Sequence, residues 1–264
     1  MHHLETLLVE TPRPGVTLVT LNRPQAANAM NTQMVRELSH LFHGLARDEH
    51  ERPRCVVLTG AGERFFCAGG DLKERNGMTD GQWRAQHALA EEMVRHLHDV
   101  PMPVLAAING SAYGGGCELA LNADFAYAAE GARFCLPETR IGIMPGTGGT
   151  QALLRAAGTR RAKELIFSAS EFSAAEAERW AVVNAVRPAP DLLPFALDRA
   201  AAIAANAPLA VVQAKKAMRH GAEMDYRTGL YFEVEAYNHL VGTRDRREGV
   251  LAFNERRPPV FTGE

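Results

Sequence analysis

Residues 104–120 read VLAAINGSAYGGGCELA, and this stretch decides the fold. Val104-Leu105-Ala106-Ala107-Ile108 is a short unbroken apolar run, the pattern of a strand buried on both faces. Asn109-Gly110 ends it, and Gly114-Gly115-Gly116 then opens a short helix through Cys117-Glu118-Leu119-Ala120. The same order appears upstream. Cys55-Val56-Val57-Leu58-Thr59 is a second buried run, closed by Gly60-Ala61-Gly62 and followed by a glycine turn at Ala68-Gly69-Gly70-Asp71. Met30, Met34, Leu38, Leu41, Phe42 and Leu45 recur at helical spacing before it. A second helical pattern runs from Gln82 to Leu97, stopped by Pro101-Met102-Pro103. Val16, Leu18 and Thr20 alternate as a strand until Asn22-Arg23-Pro24 breaks it. Further short strands are expected at Phe125–Ala129 and near Phe134. Strands alternating with helices predict an α/β domain.

The last third reads as mostly helical. Ser173 with Glu176 forms a capping box, and Gly158 and Gly221 read as helix stops. Asn206-Ala207-Pro208 marks the expected boundary between a core over residues 1–206 and a helical region over 207–264. That region carries apolar positions at Val211, Met218, Leu230, Tyr231, Val234 and Leu251, expected to pack on the core or on a neighbouring subunit.

Composition narrows the classes. Of 264 residues, 46% are hydrophobic and 23% charged, which excludes a disordered chain or a coiled-coil rod. Basic and acidic side chains number 29 and 31, so no whole-chain positive field exists to attract nucleic acid. Cys55, Cys67, Cys117 and Cys135 form no CxxC pair, Met1 to Glu10 do not read as a basic region followed by an apolar core, and the apolar stretches fall well short of about 20 residues. These features predict a cytoplasmic protein with reduced thiols, no membrane span and no structural metal. GxxxxGKS/T, HExxH and GxSxG are all absent, and no GxGxxG follows the first strand.

The chemistry-bearing features are the two glycine turns and two carboxylates. Turns that follow two buried strands can aim two backbone N–H groups at one oxygen. Glu118 lies just after the second turn and Glu138 follows Pro137 at a helix start. Either glutamate alone suits a helix N-terminus. As a pair beside an oxyanion site they can move protons at adjacent carbons.

Taken in order, these pieces resemble the crotonase superfamily, the enoyl-CoA hydratase/isomerase family. The matching residues are Asn22-Arg23-Pro24 with Asn28-Ala29, then Phe66-Cys67-Ala68-Gly69-Gly70-Asp71-Leu72-Lys73 and the stretch from Ala106 through Ala120. Leu136-Pro137-Glu138-Thr139 and Pro145-Gly146-Thr147-Gly148-Gly149-Thr150-Gln151 complete the match, which covers nearly the whole chain. Ala162–Phe167 and Asp245–Phe253 look most like the methylglutaconyl-CoA hydratase branch.

The resemblance implies a spiral of ββα units followed by a helical trimerisation region, in trimers that can pair into hexamers. It implies an acyl-CoA thioester substrate whose carbonyl is held by the N–H groups of Gly70 and Gly115. It implies hydration of a trans-2-enoyl-CoA to a 3-hydroxyacyl-CoA, with Glu118 activating water and Glu138 protonating the α-carbon. CoA is expected against Ala26, Asn28 and Ala68 and near the basic Arg64 and Lys73; no metal or redox cofactor is implied. Residues 74–86 are expected to line the acyl pocket, with Met78 and Trp83 as candidates and Arg75 or Arg84 facing any distal carboxylate. The competing readings are a Δ3-Δ2-enoyl-CoA isomerase, a CoA-thioester hydrolase on the same fold, and a non-catalytic acyl-CoA-binding or RNA-associated subunit.

Overall fold

The computed structural model describes residues 4–47 and 52–264. Strand β1 (Leu7–Arg13) pairs antiparallel with β2 (Val16–Leu21), and helix α1 (Thr32–Arg47) follows. One unit then recurs. It runs through β3 (Cys55–Gly60) and β4 (Phe65–Cys67) into α2 (Leu72–Arg75) and α3 (Asp80–Asp99). It runs again through β5 (Val104–Ile108) and β6 (Ser111–Tyr113) into α4 (Gly115–Asn122). The third pass takes β7 (Phe125–Ala129) and β8 (Arg133–Cys135) through a 3-10 turn at Glu138–Ile141 to α5 (Gly149–Ala157). Helix α6 (Thr159–Ser168), β9 (Phe172–Ser173), α7 (Ala174–Arg179), β10 (Ala185–Arg187) and α8 (Ala189–Ala204) close the core.

Within each pass the first strand joins one sheet and the second strand joins another. The larger sheet has the order β1-β2-β3-β5-β7-β10 and is parallel from β2 onward. The smaller has the order β4-β6-β8-β9, with β9 antiparallel to β8. Every residue of β3 and β5 is buried, as their unbroken apolar sequences require. Val56, Leu58, Ala106 and Ile108 pack toward α1, α3, α4 and the smaller sheet, while Cys55, Val57, Leu105 and Ala107 pack against Leu192, Ala196 and Ala200 of α8. The alternation along each strand thus feeds two cores from one sheet.

Helices α9 (Pro208–Gly221), α10 (Tyr226–Val241) and α11 (Arg244–Glu255) follow. Lys215 fastens α9 to the core, donating to Asp124 at 2.7 Å and to the Met102 carbonyl at 2.9 Å. Tyr231, Val234, Tyr237, Leu251 and Phe253 on α10 and α11 are exposed. No single helix among the described residues is long and apolar enough to cross a membrane.

Local signals in the sequence took the expected form with one exception. The capping box at Ser173 and Glu176 starts α7, and Gly158, at φ 80°, ends α5. Gly221 is instead the last residue of α9, and the helix ends through Ala222 in a right-handed conformation. The left-handed stop expected of a glycine is not used there.

Candidate active site

Strand ends and glycine turns from all three passes converge on one cavity of about 610 Å³. Ala68, Gly69 and Gly70 line it from the first turn, Gly114, Gly115 and Glu118 from the second, and Pro137 and Glu138 from the third. The first two turns touch. A methyl group on Gly69, whose φ is +93°, would meet the Tyr113 carbonyl at 2.7 Å and the Gly115 nitrogen at 3.2 Å. Only glycine allows that approach. Among the described residues neither the Gly70 nor the Gly115 N–H donates a hydrogen bond, so both are free for a ligand oxygen. The first turn is fixed from behind: Met30 donates to the Gly69 carbonyl at 2.7 Å, and Arg23 pairs with Asp71 at 2.9 Å.

Glu118 projects from the first turn of α4 and is 3% exposed. Its Oε1 accepts from the Thr147 and Gly149 amides, each at 2.8 Å, and its Oε2 accepts from the Thr147 hydroxyl at 2.5 Å. These amides lie at the start of α5, where unpaired N–H groups favour negative charge. A Cβ on Gly149 would stand 2.9 Å from Glu118 Oε1, so glycine permits this contact as well.

Glu138 is 8% exposed and differently placed. Its Oε2 is buried without any hydrogen-bond partner. Burial, with the Glu118 charge adding to it, pushes its carboxyl up to about 7, against the opposing pull of a backbone amide. One cavity therefore holds one carboxyl group gripped by three donors and another with one oxygen buried and unpartnered.

Arg75 enters the cavity from α2. Its Nε donates to Gln86 Oε1 at 2.7 Å, and its guanidinium lies over the Trp83 ring at 4.7 Å. Gln86 is itself fixed by donation to Thr32 at 2.8 Å and Glu74 at 2.7 Å. The terminal nitrogens of Arg75 have no acceptor among the described residues and lie 3.3 Å from where a Gly70 Cβ would be. Burial holds the guanidinium below its usual range, with Glu74 and Glu118 opposing.

The structure thus brings together Gly70, Gly115, Glu118, Glu138 and Ala68, with Trp83 and Arg75 beside them. Ala26, Asn28, Arg64 and Lys73 lie outside the cavity wall. Asn28 is fully buried, its side chain accepting from Arg23 and donating to the Ala61 and Phe65 carbonyls. Arg64 and Lys73 are exposed. Met78 does not line the cavity, and Arg84 points into solvent at 80% exposure. Thr147 and Gly149 carried no assigned role in the sequence reading. Their Gly146-Thr147-Gly148-Gly149 context, a glycine loop entering a helix, was the available signal. Ile141, Ile143 and Met144 supply an apolar wall that no periodicity marked.

A two-sheet spiral of ββα units around facing glycine amides and two buried carboxylates is the crotonase architecture. The chain belongs to the enoyl-CoA hydratase/isomerase family, which matches residues 11–264. It is similar to the short-chain-enoyl-CoA hydratase of Clostridium acetobutylicum, 40% identical over 242 residues and covering 92% of each chain. The mitochondrial methylglutaconyl-CoA hydratase of Mus musculus is 36% identical over 260 residues, covering 97% of this chain and 82% of that one. A crystal structure of an enoyl-CoA hydratase from Bacillus anthracis superposes with a TM-score of 0.96 at 42% identity, over 98% of this chain and all of the other.

Proposed function

We propose that the chain hydrates trans-2-enoyl-CoA thioesters to 3-hydroxyacyl-CoA, and that the unlike surroundings of Glu118 and Glu138 divide the two proton transfers between them. The Gly70 and Gly115 amides hold the thioester oxygen as enolate charge develops there. One such donor is worth on the order of 3–4 kcal/mol of barrier. Water sits between the carboxyl groups. Glu118, held by three donors, takes a proton from the water that attacks the β-carbon. Glu138, whose carboxyl burial raises to about 7, gives its proton to the α-carbon from its protonated form. CoA runs outward past Ala68 toward Ala26, Arg64 and Lys73, with the buried Asn28 bracing the turn beneath them. The exposed apolar faces of α10 and α11 support assembly as a trimer or a pair of trimers.

The carrying observation is the contrast between three donors on Glu118 and none on Glu138 Oε2. Crotonyl-CoA tests it, by loss of enoyl absorbance and identification of the product. Wild type is expected to form 3-hydroxybutyryl-CoA, and Glu118→Gln and Glu138→Gln each to fall by at least about a hundredfold. A shifted double bond would assign an isomerase and free CoA thiol a hydrolase. Inert wild type on crotonyl-CoA and on longer and carboxylated enoyl-CoAs would end the hydratase reading.

A second reading concerns the acyl group. An unpaired guanidinium inside an apolar cavity favours a substrate with a distal carboxylate, as in a methylglutaconyl thioester. Arg75→Met is expected to lower kcat/KM for carboxylated enoyl-CoAs by at least about thirtyfold, the effect of stranding one charge of a buried pair, and to spare crotonyl-CoA. Equal losses on both substrates would show that Arg75 supports the site without reading the acyl end.

A further inference from the structure

Asn122 closes a ring around Glu118 from behind. It is the last residue of α4, one turn after Glu118. Its Nδ2 donates to the Glu118 carbonyl at 2.7 Å and to the Thr147 carbonyl at 3.0 Å. Thr147 in turn donates its amide and hydroxyl to the Glu118 carboxylate. One side-chain amide therefore ties the backbone of Glu118 to the segment that grips its side chain. Gly148, at φ +101°, leaves room for it; a Cβ there would stand 2.9 Å from Asn122 Nδ2.

The amide is oriented by its other end. Both Nδ2 hydrogens serve carbonyls, so Oδ1 faces His98, whose Nε2 lies 2.8 Å away and must carry the proton. Burial, then the nearby Arg219 charge, holds His98 below its ordinary range, which suits a neutral ring donating from Nε2. Arg219 of α9 also donates to the His98 carbonyl. Two residues beyond Asn122, Asp124 accepts from Lys215 of the same helix.

We propose that Asn122, oriented by the His98 ring, is a positioning residue that holds the Glu118 carboxylate and the Thr147–Gly149 turn in one fixed geometry. The inference rests on Glu118 as the group that activates water. Through Arg219 it also makes α9, outside the core, a support of the active site. A small displacement of a reacting group is costly, since misplacement by about 1 Å can lower a rate on the order of a hundredfold.

Two measurements test it, one independent of turnover. In Asn122→Ala, the Thr147 and Gly149 amides lose the clamp, so their hydrogen exchange is expected to speed by at least about tenfold while the β3 and β5 amides stay protected. In hydration assays, kcat is expected to fall about ten- to a hundredfold with KM within about twofold. The same substitution added to Glu118→Gln is expected to cost little more, because both act through one group. His98→Gln, whose amide can donate to Oδ1, keeps activity, whereas His98→Leu behaves like Asn122→Ala. Unchanged exchange at Thr147 and Gly149 in both Asn122→Ala and His98→Leu would overturn the proposal, as would a full further loss in the Glu118→Gln background. Inactive wild type would sink the hydratase reading, and the exchange measurement would still decide whether Asn122 holds the clamp.

Discussion

Glu138 carries the pH dependence that the site leads us to expect. Its carboxyl is raised from an ordinary 4.5 to about 7, chiefly by burial. The free enzyme then has its acid protonated below about 7, so kcat/KM for hydration falls as pH rises through 7. The falling limb should vanish from the residual activity of Glu138→Gln. Stability follows the same group. Because its folded-state value lies above the unfolded one, burying Glu138 carries no ionisation penalty below about 4.5, and stability then falls as pH rises to about 7, by on the order of 3 kcal/mol in all. Melting curves of wild type and Glu138→Gln at pH 5 and pH 8 check this, the wild type losing ground at pH 8. The two glutamates were legible through family resemblance, since their motifs sit beside glycine turns. The asymmetry between them was not. It depends on Thr147 and Gly149, some thirty residues along the chain from Glu118, and on a buried oxygen without a hydrogen-bond partner. Arg75 was named together with Arg84, and only the four-residue helix α2 settles which guanidinium turns inward.

Elements were read with most success where a local rule acts alone. The buried runs of β3 and β5, the amphipathic face of α1 and the glycine turn into α4 each depend on a few neighbouring residues, and each formed as read. Gly221 failed as a stop because the chain leaves α9 through Ala222 without needing a positive φ. Ser173 is the cleanest case for measurement. Its hydroxyl accepts from the Glu176 amide at 3.3 Å, and the Ser173 amide donates to the Glu176 carboxylate at 2.9 Å. Ser173→Ala is expected to lose about 1 kcal/mol. In a chain of this size that lowers Tm by about 2–4 °C. Activity at 25 °C should be untouched, because α7 contributes nothing to the cavity wall.

At the scale of the whole molecule, the core and the last three helices differ in kind. The core buries both faces of β3 and β5 at the centre of its larger sheet, whereas Tyr231 is 61% and Phe253 83% exposed. Large apolar side chains left in water this way mark an association surface. Sedimentation is expected to give about three times the 28.8 kDa chain mass, or six times if trimers pair. Tyr231→Glu with Phe253→Glu should return the protein toward one chain mass. A wild type already sedimenting as a single chain would refute the assembly. The order of the ββα passes was readable because the pattern recurs. Their convergence on one cavity was not, because it arises from contacts between turns far apart in sequence.

The buried, partnerless oxygen of Glu138 also bears on how such a protein can evolve. Replacing that glutamate with leucine would remove a desolvated acid from the interior and fill the space with carbon. A lineage selected for heat tolerance alone would meet that substitution as an improvement, and would keep the scaffold while discarding its acid. Wherever the glutamate persists in a heat-adapted descendant, its retention therefore testifies to selection on turnover, because folding stability would have favoured its loss.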